Sequence, residues 1–144
     1  QTTDLSDGSR AALERLRGLG IAEQARNSLL HVFDAPALRL AFSHSMPKED
    51  QEHYLAEERR SAWEGLSRFR ASATLGDVLL AVRHESATTA QEILKAAEEQ
   101  EADLIVLSTR GEGGLARLII GSVTEQVLQM SPVDVLAIPP LRGD

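Results

Sequence analysis

Between Ser108 and Ser122 the chain reads STRGEGGLARLIIGS, a glycine-rich stretch set between the apolar run ADLIVL and the amphipathic run VTEQVLQM. Such a strand-to-helix joint suits anion binding. Glycines let backbone N–H groups approach an anion closely, and the following helix adds partial positive charge at its N-terminus, so phosphate can be held without a basic side chain. Gly111 and Gly121 can take backbone angles closed to other residues, and the N–H groups of Gly121, Ser122 and Val123 open the helix. A plain turn followed by an ordinary helix cap fits the same residues, and spacing alone leaves both readings open. Arg110 and Arg117 are either phosphate ligands or solvated surface arginines.

Other chemistries fit less well. Gly111, Gly113 and Ala116 satisfy the loose dinucleotide pattern G-x-G-x-x-A, but its acidic partner belongs at the end of the next strand, whereas Asp134 begins one. No lysine follows the glycines as in a P-loop. His31 lies inside an apolar run and reads as a hydrogen-bonded interior or strand-end residue, while His44, His53 and His84 lack the spacing that puts two imidazoles on one helical face for a metal. Asp4 is a carboxylate at the edge where parallel sheets bind ligands. It can orient a ribose or a hydrated Mg²⁺, or serve only to cap the first helix with Ser6. Trp63 and Tyr54 read as packing residues.

The elements that position these residues alternate. The 144 residues amount to one domain, with 42% apolar but only 3% aromatic content, the composition of a helix-covered parallel sheet. Apolar runs at Ser28–Phe33, Asp77–His84, Asp103–Ser108 and Val133–Ile138 predict strands. Helical periodicity predicts helices over Asp7–Leu19, Pro47–Arg70, Thr89–Ala102 and Ser122–Met130. Asp34, Ala35 and Pro36 are read as ending the first run, with a long polar segment after them. Only Gln1, Thr2 and Thr3 precede the first turn, so a first strand is expected to be incomplete and to need residues before Gln1. A net charge of −7 argues against non-specific nucleic acid or anionic membrane binding. There is no cysteine, no run approaching a membrane span and no visible targeting segment, which favours a cytoplasmic protein.

DLIVLSTRGEGGLARLIIGSVTEQVLQMSPVDVLAIP closely resembles the C-terminal signature of the universal stress protein family. Nucleotide-binding members carry a glycine, two residues, a glycine, nine residues and then Gly-Ser/Thr. Gly111 and Gly121-Ser122 hold that register, with Ser108 in place of the first glycine. TTDLSDGSRAALERL resembles the family's first strand-to-helix turn and LLHVFD its second strand; Arg39 to Gly76 is the least diagnostic part.

The resemblance implies a five-stranded parallel sheet, order 3-2-1-4-5, with helices on both faces and ligand at the switch in strand order. It implies an ATP site, with Mg²⁺ brought by the nucleotide. Thr2, Thr3 and Asp4 would lie near the adenosine, the Val32 backbone beside adenine, and Ser108, Gly111, Gly121, Ser122 and Val123 at phosphate and ribose, with Thr124 on the same helix entry. The expected function is a stress-response regulator with at most slow hydrolysis, since no general base, nucleophile or arginine finger is evident. The alternatives are a dimeric interaction module that binds no nucleotide and, third, a nucleotide-dependent hydrolase. Family members commonly pair their final strands, which implies a homodimer or tandem pairing through Val133, Val135, Leu136 and Ile138, ended by Pro139 and Pro140.

Overall fold

Short apolar runs that must bury two faces become parallel strands covered by helices, and this chain follows that rule. The computed structural model describes residues 1–21, 23–73, 75–109 and 120–139. β1 (Ser28–Phe33) pairs in parallel with β2 (Leu79–His84), and β3 (Leu104–Ser108) pairs in parallel with β4 (Asp134–Ile138). Residues 1–3 lie between the two pairs. Thr3 N donates to Leu30 O at 2.9 Å and Leu30 N to Gln1 O at 2.8 Å, while on the other side Thr2 N donates to Val106 O at 2.8 Å.

Side-chain alternation along β1 sends neighbours to opposite layers. Leu30 packs with Ile105, Leu107, Ala90, Ile93 and Val127, which places α4 (Thr89–Glu99) and α5 (Ser122–Met130) on one face. Leu29 packs with Leu13, Leu66 and Phe69, which places α1 (Asp7–Gly18) and α3 (Lys48–Ser72) on the other. α1 also covers Val106 and Ile138 through Ala12 and Leu16. The Ile138 side chain is therefore buried within the chain, against α1.

Helix ends follow local chemistry. Ser6 caps α1 by accepting from Ser9 N, and Gly20, at φ +69°, takes the left-handed turn beyond its end. α4 stops at Glu99, short of the expected Ala102. There Glu101 turns left-handed at φ +50°, Glu101 N donates to Glu98 O, and Ala102 N donates to Ala97 O at 2.8 Å, closing a Schellman motif without glycine. α2 (Pro36–His44) occupies part of the segment expected to be polar and irregular. Pro36, read as a strand terminator, is also a favoured first helical residue because its missing N–H is unpaired there anyway.

Glu92, in the first part of α4, is 3% exposed and was not foreseen among the buried residues. Its carboxylate accepts from Ser86 Oγ at 2.6 Å, from Arg83 Nε at 3.1 Å and from Lys95 Nζ at 3.5 Å, and Arg83 also reaches Glu99 at 2.6 Å. These bonds tie the end of β2 and its following turn to α4. The Ser86 hydroxyl, with Arg83 and Lys95, holds the Glu92 carboxyl below its ordinary 4.5 despite the opposing cost of burial. The unfolded chain therefore binds this proton more readily than the folded one. The resulting stabilisation is fully present above about pH 4.5 and is lost as pH falls through the lower folded value. Glu92→Ala is expected to cost about 2–3 kcal/mol at neutral pH and to flatten this acid-side dependence, read by urea unfolding across pH 3 to 7.

Candidate functional site

Parallel pairing alternates the direction of successive peptide groups, and here that alternation leaves a gap. On β1, Ser28 and Leu30 bond to residues 1–3, whereas Asn27 and Phe33 accept from Leu79 and Glu85 on the β2 side. Val32 therefore directs its N–H and C=O toward the central segment, one step beyond Leu30. The chain has already left at Asp4 to enter α1, so the Val32 peptide groups have no partner among the described residues. On β3, Val106 bonds the central segment and Thr109 N bonds Ile138 O of β4 at 2.9 Å, so Ser108 faces the same gap from the opposite side.

The turn out of the central segment is held by hydroxyl groups. Asp4 Oδ1 accepts from Ser6 N at 3.0 Å, Ser6 Oγ at 2.5 Å and Ser9 Oγ at 2.6 Å. Among the described residues, every side-chain contact of this carboxylate falls on Oδ1, which leaves Oδ2 for solvent or a ligand. Ser9 is 3% exposed and makes a longer 3.4 Å contact with Ser108 Oγ. Since Ser9 gives its single hydroxyl proton to Asp4, Ser108 donates in that contact. Thr3, also buried, accepts from Leu5 N through Oγ1 at 2.9 Å and supports Leu5 at φ +67°, a left-handed conformation unusual for a branched side chain. His31 Nδ1 donates to Thr3 O at 2.9 Å, so this histidine secures the central segment.

The entry of α5 is fixed to the end of β3. Thr124 Oγ1, on a residue 4% exposed, donates to Ser108 O at 2.9 Å, and Gly121 N donates to Thr109 O at 2.8 Å. Two expectations are corrected by this arrangement. Gly121 sits at φ −64°, ψ 152°, open to any residue, and its N–H is engaged by the Thr109 carbonyl. The amides of Ser122, Val123 and Thr124 are those without a partner among the described residues, because Gly121 as N-cap has no side chain to satisfy them. Gly111, with Arg110, Gly113, Ala116 and Arg117, lies outside the described residues.

Thr2, Thr3, Asp4, Val32, Ser108 and Gly121 to Thr124 thus converge at the carboxyl ends of β1 and β3. Of the predicted set, Thr2 contributes backbone pairing and Thr3 a buried structural hydroxyl. Ser9 was missed. Its signal was a second serine three residues after the capping Ser6, a spacing that reads only as a cap until Ser108 is folded beside it. A cavity of about 930 Å³ lies at the opposite edge around Gln1, Ser28, Leu79 and Leu104. It is a poorer candidate, since the unpaired amides and the α5 dipole are at the other end. No helix among the described residues is long and apolar enough to cross a membrane.

Comparison with known proteins gives the family and the fold. The sequence matches the profile of the universal stress protein family over residues 2–139. The chain belongs to the universal stress protein family. Among its relatives, universal stress protein YxiE of Bacillus subtilis is 32% identical over 139 residues, covering 94% of this chain and 93% of that one. The crystal structure of the hypothetical protein PH0823 superposes with a TM-score of 0.67 at 27% identity, covering 99% of this chain and 95% of that one. A universal stress protein in complex with cAMP shares the fold at TM-score 0.54 and 24% identity, covering 97% and 94% of the two chains. One from Archaeoglobus fulgidus in complex with dAMP does so at 0.52 and 20%, covering 95% and 93%. The Rossmann-like α/β fold of the family is therefore the fold of this universal stress protein.

The α5 anchor has a measurable weight. Thr124→Val keeps the shape of the side chain but removes the hydroxyl that donates to the Ser108 carbonyl, and is expected to lower stability by about 1 kcal/mol in urea unfolding. Gly121→Ala is expected to change stability by less than about 1 kcal/mol, because its φ is ordinary and the added Cβ would sit 3.4 Å from Thr109 O.

Proposed function

We propose that this universal stress protein binds an adenine nucleotide, ATP with Mg²⁺, at the carboxyl ends of β1 and β3, and acts as a stress-response regulator with at most slow hydrolysis. One observation carries the reading: three kinds of unsatisfied polar group converge on a single gap. The Val32 peptide offers a donor and an acceptor to the edge of a base, Asp4 Oδ2 offers an acceptor to ribose hydroxyls, and the Ser122, Val123 and Thr124 amides offer donors to phosphate. The relatives in complex with cAMP and dAMP lend support, both ligands being adenine nucleotides. Among the described residues no group of three carboxylate, histidine or cysteine side chains is set to hold a metal. A Mg²⁺ ion would be brought with the phosphates, with the Asp4 carboxylate offered to its water shell. The proposed frame is a continuous sheet of order β2, β1, residues 1–3, β3, β4, equivalent to 3-2-1-4-5 when the central segment counts as the first strand.

A second reading, an interaction module that takes no nucleotide, is favoured by one specific observation. Ser108 stands where nucleotide-binding members carry glycine, and its hydroxyl meets Ser9 across the gap. For either reading the proposed partner is a second copy, or an equivalent tandem domain, paired through the outer edge of β4. That strand hydrogen-bonds to β3 on one side, and Val133, Val135 and Leu136 are partly buried. Leu136→Lys is expected to shift the mass in light scattering from dimer to monomer. A monomeric mass for the unaltered chain would remove the pairing.

Titration calorimetry with ATP and Mg²⁺ separates the nucleotide readings. Binding is expected. Ser108→Gly should preserve or tighten it, and Gly121→Val should weaken it about tenfold or more by placing a branched side chain beside the Ser122 and Val123 amides while the fold is retained. Absence of binding at millimolar ATP would leave the interaction module, whereas turnover of many ATP per minute would favour the hydrolase.

A further inference from the structure

α3 carries two stripes. One, Ala62, Leu66 and Phe69, is buried against the sheet. The other recurs at three- and four-residue spacing as Glu52, Leu55, Ala56, Arg59 and Trp63. It faces a groove of about 710 Å³ whose far wall is Ala81 and Val82 of β2. Trp63 is 45% exposed there, although an indole ordinarily finds cover.

Charge along α3 is segregated. After Lys48, Glu49, Asp50, Glu52, Glu57 and Glu58 precede every arginine, and Arg59, Arg60, Arg68 and Arg70 follow with Glu64 the one acid among them. Arg59 and Arg60 make no ion pair among the described residues, and Glu52 has only an exposed 3.8 Å contact with Lys48. Acid first and base last suits the helix dipole, and it also makes the helix complementary to its own reverse.

We propose that this stripe binds the same stripe of a second copy of the chain, the two α3 helices antiparallel about a two-fold axis between Leu55 and Ala56. In that register Leu55 meets Ala56 at the centre, Glu52 meets Arg59 on both sides, and Trp63 covers the Lys48 stem and ammonium at either end. The occupant follows from the pattern. An acidic peptide would satisfy Arg59 and Arg60 but leave Glu52 facing like charge, whereas a reversed copy gives Glu52 and Arg59 opposite charges and sets Arg60 beside the polar Gln51. The surface is distinct from the β4 edge, since α3 packs over β1 and β2, so either contact can exist without the other.

Trp63 is the single tryptophan of the chain, and its emission reports this contact alone. With rising concentration of the otherwise unaltered protein, its emission is expected to move to shorter wavelength as the sedimentation mass doubles; pairing through β4 leaves Trp63 untouched. Glu52→Arg and Arg59→Glu, both at exposed positions, are each expected to weaken this association about tenfold or more through paired like charges. Mixing the two variants is expected to restore it, because each mixed pair regains both opposite-charge contacts. The proposal is overturned by a Trp63 emission that stays constant up to hundreds of micromolar protein. It is equally overturned by single variants that associate as tightly as the parent, or by a mixture no tighter than its components.

Discussion

The structure depends on three residues being held from both sides and then released. Gln1 to Thr3 bond to Leu30 in one direction and to Val106 in the other, and Asp4 turns the chain away into α1 while β1 and β3 run on. Beyond that departure the central segment offers no partner to the Val32 peptide groups, while the Ser108 carbonyl is taken by Thr124 Oγ1. Val32 and Ser108 are left facing each other across a gap that is a consequence of topology, and parallel α/β folds place ligands at such gaps.

What surrounds the gap is preorganised without basic side chains in the described structure. Ser6 and Ser9 fix the Asp4 carboxylate, Leu5 accepts a left-handed conformation to make the turn, and His31 holds the Thr3 carbonyl. Thr124 and Gly121 then clamp the first turn of α5 to the last residues of β3. The chain spends polar groups to aim other polar groups. Bonds in this collar fix the groups around the gap, among them the Asp4 carboxylate and the first turn of α5.

Away from the gap, charge does structural work of two kinds. Glu92 and Arg83 are paired under cover, where a lone partner would be costly, and so lock the turn after β2 to α4. On α3 the charges are solvated and separated along the axis, where they contribute little to folding and can set the register of a contact.

Much of the frame was legible in local pattern. Ser28–Phe33 and Ser122–Met130 fall where hydrophobic run length and helical periodicity put them, because strand and helix periodicity are written within a few residues. Asp4 stands where the chain leaves the sheet to enter α1, as the local pattern of the first turn suggested. Other features depended on residues distant in sequence. Pro36 opens α2 although the same residue also suits a strand end, and the first turn of that helix reaches α3, where Ala37 N donates to the Tyr54 hydroxyl. Gly121 looked like a residue needing unusual angles with a free amide, yet the Thr109 carbonyl takes that amide. Ser9 gains its place from Asp4 and Ser108, Glu92 from Arg83, and Ile138 its burial from α1. Periodicity determines which face of an element is apolar, whereas the partner of a hydroxyl, amide or carboxylate is decided when the chain brings another element within about 3 Å of it.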